Sequence, residues 1–104
     1  MSRKIKDDQW VWIVVQDPGG NEQFLGQRDE TKDMSFIPTF LEKDAALQCM
    51  NHLALERGHK YEVQAILYED LVPKADEQGF LLLVLNESGE VLEKIDPKPL
   101  NGEP

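Results

Sequence analysis

Three side chains able to bind metal or move protons fall close together in the chain: Cys49, His52 and Glu56. Spaced by three and then four residues, they would converge near one edge of a continuous helix, as metal ligands do. A plainer reading competes. Cys49 borders an apolar stripe, where a free thiol is usually a small buried hydrophobe, and His52 and Glu56 are then surface groups. His59 follows Gly58, where a charged imidazole favours the negative end of a helix; a role as base would need a nucleophile or substrate pocket that the sequence does not display. Asp17-Pro18-Gly19-Gly20-Asn21 holds two glycines, but no lysine follows at phosphate-loop spacing and the segment leads to a strand. It reads as a hairpin turn. The carboxylates Asp29, Glu30, Asp33, Asp70, Asp76 and Glu77 would need convergence from separate elements to make an acid–base pair or cation site; they read as solvated surface. No residue is assigned a catalytic, cofactor-binding or metal role, and no cofactor is expected.

Trp10 and Trp12 stand apart from these polar groups. Within Gln9 to Gln16, successive side chains point to opposite faces of a strand. Trp10, Trp12 and Val14 share one face and Val11, Ile13 and Val15 the other. With both faces apolar, this should be a central strand covered on each side. The two tryptophans either pack under a helix or line an uncovered face that meets a partner.

The elements that must position these residues follow from the same periodicities. Pro18 and Gly19 suit a turn, after which Glu22 to Arg28 returns as a weaker strand. Asp29 to Ser35 reads as a polar loop. Phe36 to Phe40 is a short extended segment, whose Pro38 cannot donate to a ladder and so belongs at an edge, a bulge or a strand end. Glu42 to Arg57 reads as a helix, with Glu42 and Asp44 at its start and Gly58 beyond its end. Ala46, Cys49, Met50, Leu53 and Ala54 form its inner stripe, and Leu55 lies outside that stripe. Lys60 to Leu67 is a strand. Glu69 to Gln78 is a second helix ended by Gly79, and Pro73 there suggests a late or 3-10 start. Phe80 to Asn86 is a second central strand, expected to run side by side with the first. A turn at Glu87 to Glu90 leads into Val91 to Ile95.

The class expected is α+β, a mixed β-sheet of five or six strands with two helices in the order β-β-β-α-β-α-β-β. Residues 1–8 form a flexible N-terminus, 9–95 a single domain and 96–104 a flexible tail. The 104 residues suffice for one domain with its own core. A net charge of −9 repels phosphate backbones and anionic membranes, so neither nucleic acid nor membrane is an expected partner. Cys49 is the only cysteine, which rules out an intramolecular disulfide and a cysteine zinc cluster. The apolar run Phe80 to Leu85 is too short to span a bilayer. Met1 to Asp8 lacks the apolar core of a signal peptide. The expected compartment is a reducing, bacterial-type cytoplasm.

Phe36-Ile37-Pro38-Thr39-Phe40 followed by a helix start with Asp44-Ala45-Ala46 resembles the opening of the SseB-type N-terminal domain. Leu71 and the later Leu83-Val84-Leu85-Asn86 with Gly89 resemble that family's helix and apolar strand ending in Asn and a turn. The segment is also similar to small bacterial and plastid domains of unknown function. The likeness covers about half the chain. Glu87 stands where the family commonly has Pro, and Leu41 where it has Ser or Thr. The resemblance implies a compact α/β-type sandwich with no established enzymatic activity, and it carries over no functional residue.

Taken together, these readings favour a non-enzymatic protein-interaction module whose partner is a second copy or another protein, with a contact surface of Trp10, Trp12 and Leu55. The second reading is a small-molecule-binding or regulatory domain using the 29–35 loop as a lid. Enzymatic chemistry would need Cys49, His52 or His59 placed in a cleft.

Overall fold

The computed structural model describes residues 5–97. In chain order the elements are β1 (Trp10–Gln16), β2 (Gln23–Phe24), β3 (Gln27–Asp29), β4 (Met34–Thr39), α1 (Lys43–Cys49), β5 (Tyr61–Leu67), α2 (Tyr68–Gln78), β6 (Leu81–Leu85) and β7 (Val91–Ile95). The strands form two sheets, β2-β1-β5 and β3-β4-β6-β7, in which β4 and β6 run parallel and the other pairs antiparallel. The α+β class and its two helices are as expected.

The two sheets are joined at a single bridge. Trp12 N–H donates to Phe40 C=O and Phe40 N–H to Trp12 C=O, each at 2.8 Å. Two residues further along this antiparallel register, Val14 would face Pro38. Pro38 has no N–H to give. Val14 C=O accepts instead from Leu25 N–H at 2.8 Å. The β1–β4 ladder therefore stops after one pair, and the 23–29 segment takes over that edge of β1. This is how Pro38 reaches a strand end.

The expected central strands are both interior. β1 lies between β5 and the bridge to β4, and β6 lies between β4 and β7. They do not run side by side, as the sequence suggested. β4 separates them, because its last residues reach Trp12 on one side while its length pairs with β6 on the other.

Each face of the sheets carries one helix. Val11, Ile13 and Val15 of β1 pack with Ile37, Leu82, Val84 and Ile95 against Tyr68, Leu71 and Ala75 of α2. On the reverse face Phe40, Leu83 and Leu85 meet Ala46 and Cys49 of α1, with Trp12 and Val63 partly buried beside them. The chain goes from β4 over β1 to β5 through α1, then back through α2 to β6. Both crossovers link parallel strands but travel in opposite directions. Right-handed crossovers then require helices on opposite faces, and that is where they lie.

Three elements differ from the sequence reading. The Glu22 to Arg28 strand is two strands, split at Leu25 and Gly26 where the chain leaves β1 for β4. A Cβ on Gly26 would lie 2.7 Å from the Phe80 ring, so any larger residue at this crossing point must push that ring aside. The helix expected over 42–57 ends at Cys49; Met50–His52 is a 3-10 turn and Leu53 is extended. Ala54 is held by the Gln27 side chain, which accepts from Ala54 N–H at 3.0 Å and donates to Ala54 C=O at 2.9 Å. This tertiary pairing overrides helix propensity. The α2 helix begins at Tyr68, not late, and Pro73 sits in its interior. Its start is anchored by Tyr68 N–H to Gln9 C=O at 2.9 Å and Glu69 N–H to Asp7 C=O at 3.0 Å, and by the buried Tyr68, Leu71 and Ala75.

Within the stretch expected to be flexible, Ile5 is buried in the α2-side core and Asp7 holds the helix start; residues 1–4 and 98–104 lie outside the described residues. No helix among the described residues is long and apolar enough to cross a membrane.

Gly26→Ala should destabilise the fold by about 1–3 kcal/mol in urea unfolding. Most of that loss should vanish in a Phe80→Leu background. An unchanged penalty there would place the strain elsewhere.

Candidate functional site

The early end of α1 disperses the trio at 49–56. Cys49 is buried under the turn that carries Gly89, with its Sγ 3.7 Å from where a Gly89 Cβ would sit. Burial pushes its thiol above the ordinary value, which makes it a poor nucleophile. His52 is exposed on the 3-10 turn, and Glu56 lies beyond it in irregular chain. Among the described residues no group of three histidine, cysteine or carboxylate side chains converges as a metal site would.

His59 has a partner that its place in the sequence does not reveal. Its Nδ1 lies 2.8 Å from Asp17 Oδ2, across 42 residues. Asp17 Oδ1 also accepts from Lys60 N–H at 3.1 Å, and Asp17 N–H donates to Lys60 C=O at 2.7 Å. The His59 ring, then the Lys60 N–H, hold the Asp17 carboxyl below its ordinary value. Asp17 has φ of +55°, which aspartate tolerates better than most residues. Glu56 stands 3.7 Å from the other ring nitrogen, and Tyr61 Oη accepts from Glu56 N–H at 2.9 Å. Among the described residues the polar partners of the imidazole are these two carboxylates. The arrangement fastens the β1–β2 turn to the start of β5.

The stretch expected as a polar lid is a tight hairpin. Arg28 and Asp29 pair with Ser35 and Met34, so only four residues turn. Asp29 Oδ1 accepts from Thr31 N–H at 3.0 Å and Lys32 N–H at 3.2 Å, and Arg28 forms an ion pair with Asp33. An open cleft of about 860 Å³ lies beside it, reached by Gln27, Arg28, Ser35, Lys74 and Phe80.

The tryptophans divide between the two roles considered for them. Trp12 is half buried in the α1-side cluster, with Lys43 Nζ 5.8 Å from its ring centre. Trp10 is 57 % exposed. Across β1 and β5, Trp10 faces Leu67 and Trp12 faces Ala65. Leu55 is exposed too, but it belongs at the far end of β5, where Glu56 meets Tyr61. At a strand rise of about 3.4 Å per residue, that end is roughly 20 Å from Leu67. The structure brings Trp10 and Trp12 together and leaves Leu55 apart.

The feature next to the tryptophans is the free side of β5. Among the described residues β5 pairs only with β1. Its seven residues include Tyr61, Val63, Ala65, Ile66 and Leu67, and none is fully buried. Edge strands are normally guarded by lysine, proline, a bulge or brevity. β2 and β3 are two and three residues long. The edge strand β7 carries Lys94 and a register shift opposite Leu85. β5 has none of these guards and one charge, Glu62. That lack was visible in the sequence; the edge position was not.

Compared with known proteins, the chain matches no family model, no curated protein and no solved structure.

The stabilisation from a carboxyl whose value falls on folding is full above its unfolded pKa and is lost as pH drops through the folded one. Asp17→Asn should therefore lower stability in urea at pH 7, with the difference from wild type shrinking below about pH 4. An equal difference at pH 7 and pH 3 would show that the charge plays no part.

Proposed function

We propose that this chain is a non-enzymatic protein-interaction module, and that it docks through the free edge of β5 and the adjoining Trp10–Trp12 face. The observation that carries this reading is a largely exposed tryptophan beside a seven-residue unguarded edge strand. An open strand edge offers unpaired N–H and C=O groups to another chain, and pockets or apolar side chains beside it add affinity. Tryptophan is the residue type most enriched where interfaces concentrate their binding energy. The buried thiol, and the imidazole tied between carboxylates, support binding rather than catalysis. The resemblance to SseB-type N-terminal domains points the same way. Self-association is the form of contact favoured, and a net charge of −9 opposes it until salt screens it.

The second reading, a small-molecule-binding or regulatory domain, draws on the cleft beside Arg28 and Lys74. It no longer has a ready lid, since the 29–35 stretch is a pinned hairpin.

Trp10→Glu tests the first reading. The side chain is largely exposed, so the fold should keep its circular dichroism and lose less than about 0.5 kcal/mol of stability. Wild type should show a mass that rises with concentration and with salt in sedimentation, and the variant should stay near monomer mass. Wild type and variant with the same mass at every concentration would contradict it.

A further inference from the structure

We infer that the partner on the β5 edge is a second copy of this chain, paired antiparallel about a two-fold axis through Gln64. The inference rests on the reading of β5 as a self-associating edge and adds the axis, the strand direction and the register.

A two-fold axis makes an edge meet itself, so the strand must be complementary to its own reverse. Tyr61–Leu67 meets that condition in one register. With Gln64 opposite Gln64, all seven residues overlap: Tyr61 faces Leu67, Glu62 faces Ile66 and Val63 faces Ala65 of the second copy. Sliding the strand either way shortens the ladder. The slide that centres on Glu62 sets the strand's one charge against itself, which is destabilising. In the full register Glu62 faces an apolar residue instead, and no two like charges meet.

The rows running across the sheet are equally consistent. On the face of the tryptophans, Tyr61, Val63, Ala65 and Leu67 would stand against Leu67, Ala65, Val63 and Tyr61 of the copy, an unbroken apolar row. Trp10 already faces Leu67 within one chain, and Trp12 faces Ala65. The row Trp10–Leu67 then continues onto Tyr61 of the copy, and Trp12–Ala65 continues onto its Val63. Pairing the two edges joins the two β2-β1-β5 sheets into one and leaves no open β5 edge. On the other face Gln64 Nε2 donates to Glu62 Oε1 at 2.9 Å, so the Gln64 side chain reaches along its own strand. Ile13 of β1 faces Gln64, and with Trp12 and Val14 bonded away from β5 the outward backbone groups are those of Tyr61, Val63, Ala65 and Leu67.

Single cysteines in a Cys49→Ala background test the register. Gln64→Cys chains should form disulfide-linked dimers under mild oxidation. Glu62→Cys chains should not, because their symmetry mates would lie about 14 Å apart, beyond the roughly 7 Å limit between Cα atoms. A mixture of Glu62→Cys and Ile66→Cys chains should link to each other, a second route should Gln64→Cys fold poorly. Sedimentation of the unmodified chain at the same concentrations should show dimer. A dimer that fails to link at 64 and in the 62/66 mixture, yet is broken by Trp10→Glu, overturns this pairing and leaves the docking face standing. A chain that stays monomeric into the millimolar range overturns self-association altogether.

Discussion

A missing hydrogen on one backbone nitrogen divides this sheet. Trp12 and Phe40 exchange two backbone hydrogen bonds, and the next pair would need a donor from Pro38. Without it, the edge of β1 is open to Leu25, and the 23–29 segment wedges between the two halves. Glycine at position 26 lets this wedge run against the Phe80 ring without displacing it. Gln27 is placed to bond both backbone groups of Ala54, which ends helical structure before Leu53. One residue thus sets the split sheet, the split strand and the short helix.

β1 is the strand every other part leans on. Its Val11, Ile13 and Val15 enter the core under α2 and its Trp12 the cluster under α1. Because the chain crosses β1 twice, in opposite directions, each helix takes a different face. That leaves β5 outermost. The helices connect at its two ends, and among the described residues no strand pairs with its outer side and none of its residues is fully buried. The exposed Trp10 follows from the same geometry, since α1 spans only Lys43–Cys49 and reaches Trp12 but not the start of the strand.

Much of this was legible in the sequence, and the failures share one cause. The strands at 10–16, 61–67 and 81–85 follow from runs of β-branched and apolar residues with their alternation. The αL residue Gly79 marks the end of α2 at the expected place. What the sequence did not show depends on contacts between distant segments: Gln27 with Ala54, Asp17 with His59, Gln9 and Asp7 with the head of α2. A helical pattern over 42–57 satisfies local propensity, and a side-chain amide from 27 residues earlier overrules it. Pro73 is tolerated because packing and two anchoring bonds hold its helix. For the candidate site, Trp10 and Trp12 could be picked out by type and spacing. Leu55 could not be placed without the helix end, and the β5 edge not without the strand order.

Among the described residues the outer side of β5 pairs with no strand, and amide hydrogen exchange reads its outward groups directly. Measured residue by residue from dilute to concentrated solution, the outward amides of Tyr61–Leu67 should gain protection as concentration rises, while those of the covered strand β6 stay unchanged. Exchange along β5 that is fast at every concentration would contradict the account.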